Sequence, residues 1–503
     1  MRRCDVGREL PQRTAFLFAE NTFSLLYCDI ILQNEGRRER RLWEGMKMTL
    51  DQMRYLEIPL PEDIEKAKWC GDFERAHRLI RQRLASGKLP FSVKKRLELE
   101  EEILLRLPQD YIYSEEEGLR ILREHIPDFT WEELRELEDK SQIDWIYLQG
   151  KPYFCHSFYD TLVKVYPQIA QRAGLPPAEE SLEKKLLKET AREMEEKGFA
   201  ARHIRLRASL KLADSAFRPG ETVRVHLPIP APAVNMKNIR ILSYSPEEAV
   251  IAPETAGQRT ICFTCAPREN RPFTVEYEYD SRVEYHSLDP EKVSPIQPEF
   301  DTQEQAPHIR FTPFLRELCR ELSAGETNPL KVARRFYDYC TTVVTYSYMR
   351  EYFTITQIPE YAGLNQKGDC GVQALLFITL CRCAGIPARW QSGLFVTPYS
   401  QGCHDWAQFY VAPYGWLFAD CSFGGSGYRA GSTLLHEHYF GNLDPYRMAA
   451  NSQFQWEFDP PKAQLRSDPT DNQRGEAEYE DRGLSYQELD AAWELLEMTP
   501  LAE

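Results

Sequence analysis

What this sequence lacks narrows the field before any motif is considered. No stretch approaches the roughly 18 uncharged apolar residues that a membrane-spanning helix needs. The most apolar early segment, Ala15 to Leu32, is interrupted by Glu20, Asn21 and Asp29 and has no small-residue cleavage site. Neither a signal peptide nor a membrane partner is therefore expected. Basic residues are outnumbered, 62 Lys and Arg against 77 Asp and Glu, for a formal net charge of −15. Such a chain offers no stripe that could track a phosphate backbone, so nucleic acid is not an expected partner. The basic cluster Arg37, Arg38, Arg40 and Arg41 is short and stands alone. There is no glycine-rich phosphate loop, no HExxH and no internal repeat. The cysteines, thirteen in number, are spread along the chain rather than packed into a small disulfide framework. Free thiols in a reducing compartment, the cytoplasm, are the simpler expectation. Cys381 and Cys383 form a C-x-C pair with no second pair at zinc spacing, so they read as ordinary buried thiols. No metal and no cofactor are expected.

At 503 residues the chain exceeds what one hydrophobic core serves, since cores stop growing near ~250 to 300 residues. Residues 1–44 read as an extension of uncertain structure. Residues 45–199 read as a helical domain, with apolar residues at spacings of three and four over Glu62 to Leu84, Val93 to Leu107, Trp131 to Lys140 and Pro177 to Gly198. Thr130 and Glu133 have the spacing of a capping box. Near residue 200 the period changes to two. His203 to Leu212, Val223 to Leu227, Ile239 to Leu242, Thr260 to Thr264 and Phe273 to Tyr279 predict an antiparallel β-sandwich over 200–290. Residues 291–328 read as a linker with a lead-in helix, 329–462 as an α+β catalytic domain, and 463–503 as a polar tail. A closing helix is expected from Ser485, with Glu488 three positions on.

The informative stretch is Gln366 to Gly425. Cys370 stands just before an apolar run, Val372 to Cys383, that predicts a buried helix ended by Gly385 and Pro387. A thiol at a helix start meets unsatisfied backbone N–H groups and the positive end of the dipole, which favour thiolate and can steady an oxyanion. Asp369 beside it reads as a cap or a surface residue. Three strands follow, Ala388 to Val396, Asp405 to Val411 and Trp416 to Cys421. His404 opens the second and Asp420 closes the third. Antiparallel pairing through the APYG turn brings that carboxylate to that imidazole. The pattern predicts Cys370 as nucleophile, His404 as base and Asp420 as the group orienting the histidine. The helix is expected to present its sulfur to His404, with Asp405 pointing to the opposite face.

GDCGVQALLFITLCRCAGIPARW and HDWAQFYVAPYGWLFAD, in that order, resemble the transglutaminase-like superfamily. The resemblance spans roughly residues 330–460. It implies a papain-like core with the catalytic cysteine at Cys370, the histidine at His404 and the acid at Asp420, preceded by a β domain as in some bacterial members. The chain departs from the pattern at Asp405, where a small residue is usual, and at Cys421-Ser422, where Pro-Thr is usual. The resemblance implies thiolate attack on an amide carbonyl of a peptide or protein, through an acyl-thioester. Peptidase or amidase hydrolysis leads; glutamine–amine crosslinking and a non-catalytic scaffold with a vestigial triad remain as alternatives. Trp406, Tyr346 and Gln357 are the candidate substrate-lining residues. His436 and His438, spaced H-x-H, read as surface histidines.

Overall fold

Gly71 decides how the first helical stretch is built. In the computed structural model, which describes residues 50–177 and 181–501, the helix expected over Glu62 to Leu84 is two helices, α1 (Glu62–Trp69) and α2 (Phe73–Ala85). Gly71 takes φ +79°, open to glycine at little cost, and Asp72 restarts the helix by accepting from the Arg75 amide. α3 (Phe91–Asp110), β1 (Tyr111–Ser114), α4 (Glu115–His125), α5 (Trp131–Asp139), β2 (Trp145–Leu148) and β3 (Lys151–Cys155) follow. α6 (Phe158–Val165), α7 (Pro167–Arg172) and α8 (Leu182–Lys197) complete this region. The Thr130–Glu133 capping box forms in both directions. The region is not purely helical: β1, β3 and β2 make a small antiparallel sheet. The extension over 1–44, with its basic cluster and early apolar segment, lies outside the described residues.

Past Gly198, at φ +82°, the chain becomes extended: β4 (Phe199–Leu212), β5 (Val223–Pro228), β6 (Met236–Ser245), β7 (Ala249–Ile251), β8 (Thr260–Cys265) and β9 (Phe273–Glu284). The next region holds α9 (Pro313–Ser323), α10 (Pro329–Thr342), β10 (Thr345–Tyr346), α11 (Ile358–Asn365), β11 (Lys367–Gly368) and α12 (Cys370–Cys383). Then come β12 (Ala388–Val396), β13 (Gln401–Val411), β14 (Gly415–Ala419), α13 (Cys421–Arg429), α14 (Thr433–His438), β15 (Phe440–Gly441) and β16 (Arg447–Asn451). The chain closes with β17 (Glu476–Tyr479) and β18 (Leu489–Pro500).

The closing helix expected from Ser485 is a strand. The Ser485–Glu488 box forms, but residues from Leu489 on pair with β4 along its length. Leu489, Ala491, Trp493 and Leu495 alternate inward onto the sandwich core, a period of two that the open edge of β4 selects over helix. The two sandwich sheets, β17-β5-β8-β7 and β18-β4-β9-β6, thus each borrow a strand from the tail. Ile204, Leu206, Val225, Phe263 and Val275 fill the space between them.

The catalytic-type sheet has order β15-β14-β13-β12-β16 and is antiparallel. α12 is buried on every side, which its nearly unbroken apolar sequence requires, and lies on the face carrying Ala407 and Phe409. Trp406, Phe418 and Met448, on the other face, join the sandwich core. Both faces of this sheet are therefore covered, and the residues at the start of β13 divide between two environments. Among the described residues no helix is long and apolar enough to cross a membrane.

Candidate active site

Cys370 is the first residue of α12. Asp369 caps the helix, accepting from the Val372 amide at 3.2 Å and from the Tyr352 hydroxyl at 2.5 Å. The Gln373 amide closes the first turn on the Asp369 carbonyl. The parallel pair β10–β11 holds the approach to the helix: Tyr346 pairs with Gly368, two residues before the thiol, and Ser347 N donates to Gly368 O at 3.1 Å. Gly371 keeps the next position clear. A Cβ there would lie 2.3 Å from the Tyr352 hydroxyl and 2.8 Å from Asp405 Oδ2.

The thiol donates to Asp405 Oδ2 at 3.2 Å, and His404 is not its hydrogen-bond partner. The cause is the pleat. β12 and β13 pair in unbroken register from Ala388–Phe409 to Val396–Gln401, so His404 and Asp405 face opposite ways. α12 packs on the Asp405 face. The expectation that Asp405 turns away from His404 holds. The expectation that α12 presents its sulfur directly to His404 does not, because the helix covers the other face.

His404 Nε2 is 2.7 Å from Asp420 Oδ2, and both side chains are buried. Asp420 follows β14 directly and caps α13, its Oδ1 accepting from the Phe423 amide at 2.9 Å. A neutral imidazole that donates Nε2–H to this carboxylate keeps Nδ1 as the ring nitrogen able to accept a proton. Burial holds His404 below the ordinary imidazole range, partly offset by Asp420. Burial would raise Asp420, but His404 and Arg447 overcome it and hold the acid low. Arg447, fully buried, places Nη2 3.1 Å from Asp420 and 2.6 Å from Asp444 Oδ2, and covers the Phe423 ring at 4.3 Å. A planar guanidinium suits two carboxylates at once.

Around the sulfur the charge is of one sign. Burial, then Asp405 and Asp369, push the Cys370 thiol well above its ordinary range. Burial and Asp471 raise Asp405 strongly, and burial pushes Asp369 up to about 6. Asp405 Oδ1 accepts from Gln473 Nε2 at 2.6 Å, and Asp471 accepts from Ser392 at 2.6 Å and Asn451 at 2.9 Å. The segment after β16 thus packs over the thiol side of the sheet. In this arrangement the sulfur is a thiol sharing its proton with a carboxyl, not half of an ion pair.

The substrate-lining candidates separate. Tyr346 is buried, and after burial the Cys370 sulfur is the main influence on its phenol. Trp406 is fully buried and donates Nε1 to Gln391 at 2.6 Å, stacking at 6.0 Å on His404. It supports the imidazole from within the core rather than lining an open surface. Gln357 donates to the Pro307 carbonyl at 2.7 Å, apart from this constellation. His436 and His438 are buried, not surface, residues on α14, because that helix packs against α13. Sequence reasoning missed Arg447, Asp444 and Gln473. It noticed Asp405 only as a departure from a family pattern.

Residues 316–421 match the model described as Transglutaminase-like superfamily, a span that takes in α9 to the start of α13. That segment is a transglutaminase-like core. No curated protein matches the chain. Among solved structures, the chain is similar to a candidate cysteine protease from Cytophaga hutchinsonii, at 13% identity and TM-score 0.39, covering 61% of this chain and 92% of that one. It is also similar to the periplasmic domain of TgpA from Pseudomonas aeruginosa, at 15% identity and TM-score 0.26, covering 50% of this chain and 96% of that one.

Proposed function

We infer that this protein performs cysteine-dependent acyl chemistry on amides of a peptide or protein, with water as the acceptor. The observation that carries this reading is a thiol at the first residue of a buried helix that packs on the same sheet whose strands bring His404 to 2.7 Å from Asp420. In the proposed cycle the start of β13 rearranges so that Cys370 exchanges Asp405 for His404 as its partner and gives its proton to the imidazole. The sulfur attacks the amide carbonyl, and backbone N–H groups at the start of α12 receive the oxyanion. His404 returns the proton to the leaving amine as the C–N bond breaks, giving a thioester. Water, deprotonated by His404, then releases the acid and the thiol.

Hydrolysis needs no acceptor subsite. Amine transfer is the second reading, favoured by Asp369 and Asp405, whose carboxyls beside the sulfur would attract an ammonium. The free cysteines of the described residues support a reducing compartment such as the cytoplasm. Incubating the full chain with a peptide library, with and without a primary amine, and weighing the products separates these readings. Cleaved or deamidated products lost in Cys370→Ala support hydrolysis, and amine-bearing products support transfer. No product of either kind returns the protein to a binding scaffold.

A further inference from the structure

Asp420 is not held by His404 alone. Arg447, the first residue of the edge strand β16, reaches the same carboxylate oxygen: its Nη2 lies 3.1 Å from Asp420 Oδ2, the atom that His404 Nε2 meets at 2.7 Å. The other attachments of the guanidinium fix it there. Nε donates to Asp444 Oδ1 at 3.2 Å and Nη2 to Asp444 Oδ2 at 2.6 Å. Asp444 is itself anchored, accepting from the Tyr439 hydroxyl at 2.9 Å and the Tyr446 amide at 2.9 Å. The third nitrogen, Nη1, is buried without a partner, and the guanidinium carbon stands 4.3 Å from the Phe423 ring centroid and 5.1 Å from that of Phe395. No part of this side chain meets water.

A buried guanidinium needs a carboxylate, and Asp444 alone would meet that need. The added reach to Asp420 sets a permanent cation beside the imidazole. Two cations on one oxygen oppose each other, so the guanidinium disfavours imidazolium at His404. The charged groups that bear on His404 are Asp420 after β14, Arg447 on β16 and Asp444 in the loop before it. Asp405, its neighbour on β13, turns to the opposite face with the thiol, and the rings around the imidazole, Phe395, Trp406 and Phe423, are uncharged. Burial and Arg447 act against the proton, and together they prevail over the two acids. We propose that Arg447 is a positioning residue of the reaction: by sharing the Asp420 oxygen it keeps His404 a neutral base at rest and carries the working range of the site into mildly acidic solution. The site then starts from an uncharged thiol and an uncharged imidazole, and imidazolium forms only as the thiol proton arrives. This inference rests on the amide-acyl reading for the meaning of that range, but not for the state of the imidazole.

The state of the imidazole is read by side-chain NMR of the isotope-labelled full chain, with the His404 signal assigned by its loss in His404→Gln. The unaltered protein should titrate with a midpoint below the ordinary imidazole value of ~6.5. Arg447→Met should raise that midpoint by about one pH unit or more, and Arg447→Lys, which keeps the charge, by less than half as much. Asp444→Asn, which leaves Arg447 to Asp420, should lower it. A midpoint at or above ~6.5 in the unaltered protein, or one that Arg447→Met leaves in place, overturns the proposal. If Arg447→Met does not fold, the unaltered protein and Asp444→Asn decide, and a midpoint that is unmoved or raised in Asp444→Asn overturns it. On a peptide that the protein cleaves, the acid limb of kcat/KM should move upward with the titration in Arg447→Met. A merely structural role would lower kcat/KM equally at every pH and leave the limb in place, which also overturns the proposal. Absence of cleavage by the unaltered protein counts against the acyl reading, whereas the titration decides the role of Arg447 independently.

Discussion

A thiol that donates to a buried carboxyl keeps its proton, because the neighbouring negative charge opposes thiolate. Asp405 therefore sets the resting state of Cys370, with Asp369 adding to the same field. Asp405→Ala, which installs the small side chain the resemblance leads one to expect, should speed alkylation of Cys370 at neutral pH by about tenfold, the effect of one unit of thiol pKa. Peptide-mapped iodoacetamide kinetics measures this. A slower variant would mean that Asp405 is itself the base. The helix start at Cys370 and the His404–Asp420 pairing were legible in the sequence because a thiol before an apolar run and a His and Asp on consecutive strands are local patterns. Arg447 was not, because a cation at the start of β16 carries no local mark of the two carboxylates that folding brings to it. The thiol's partner was half legible: alternation along β13 gave the direction of Asp405, but not which face α12 would cover.

At the scale of elements, β4 and α5 fell where their patterns put them, since a period of two or a capping box fixes an element locally. β18 did not, because a capping box and a leucine-rich stretch favour helix until the open edge of β4 is considered. Tertiary pairing outweighed local propensity there. Deleting residues 489–503 should then expose β4 and remove the inward Trp493 and Leu495, a loss on the order of 2 kcal/mol or more. Thermal unfolding should show a lower midpoint with increased light scattering from edge pairing. An unchanged midpoint would show that β18 contributes nothing to the sandwich.

Across the whole molecule, burial of titratable groups links stability to pH. His308 is fully buried and its imidazole is pushed down to about 3 by burial, with Nδ1 accepting from the Ile358 amide at 3.4 Å. A histidine lowered in the folded state contributes stability that is complete above the unfolded value near ~6.5 and is lost as pH falls toward the folded value. Across that window the unfolded chain binds the extra proton, so the slope is about 1 kcal/mol per pH unit for this group. Comparing urea unfolding of the unaltered protein and His308→Gln from pH 7 to pH 4 isolates it. The difference between them should shrink as pH falls. A difference independent of pH would mean that His308 is not held neutral.

The broad plan of a helical region, a β-sandwich and a transglutaminase-like core was readable from the changes of period along the chain. The way residues after β16 return to complete both sandwich sheets and to pack over the thiol was not, since such long-range pairing leaves no periodic trace.

The most direct test of the central claim is to quench the protein with acid during reaction with a cleavable peptide and weigh the intact chain. The account predicts a mass gain equal to the acyl part of the peptide, carried by the fragment containing Cys370, released by hydroxylamine and absent in Cys370→Ala. Turnover that proceeds without that adduct and survives Cys370→Ala would contradict it.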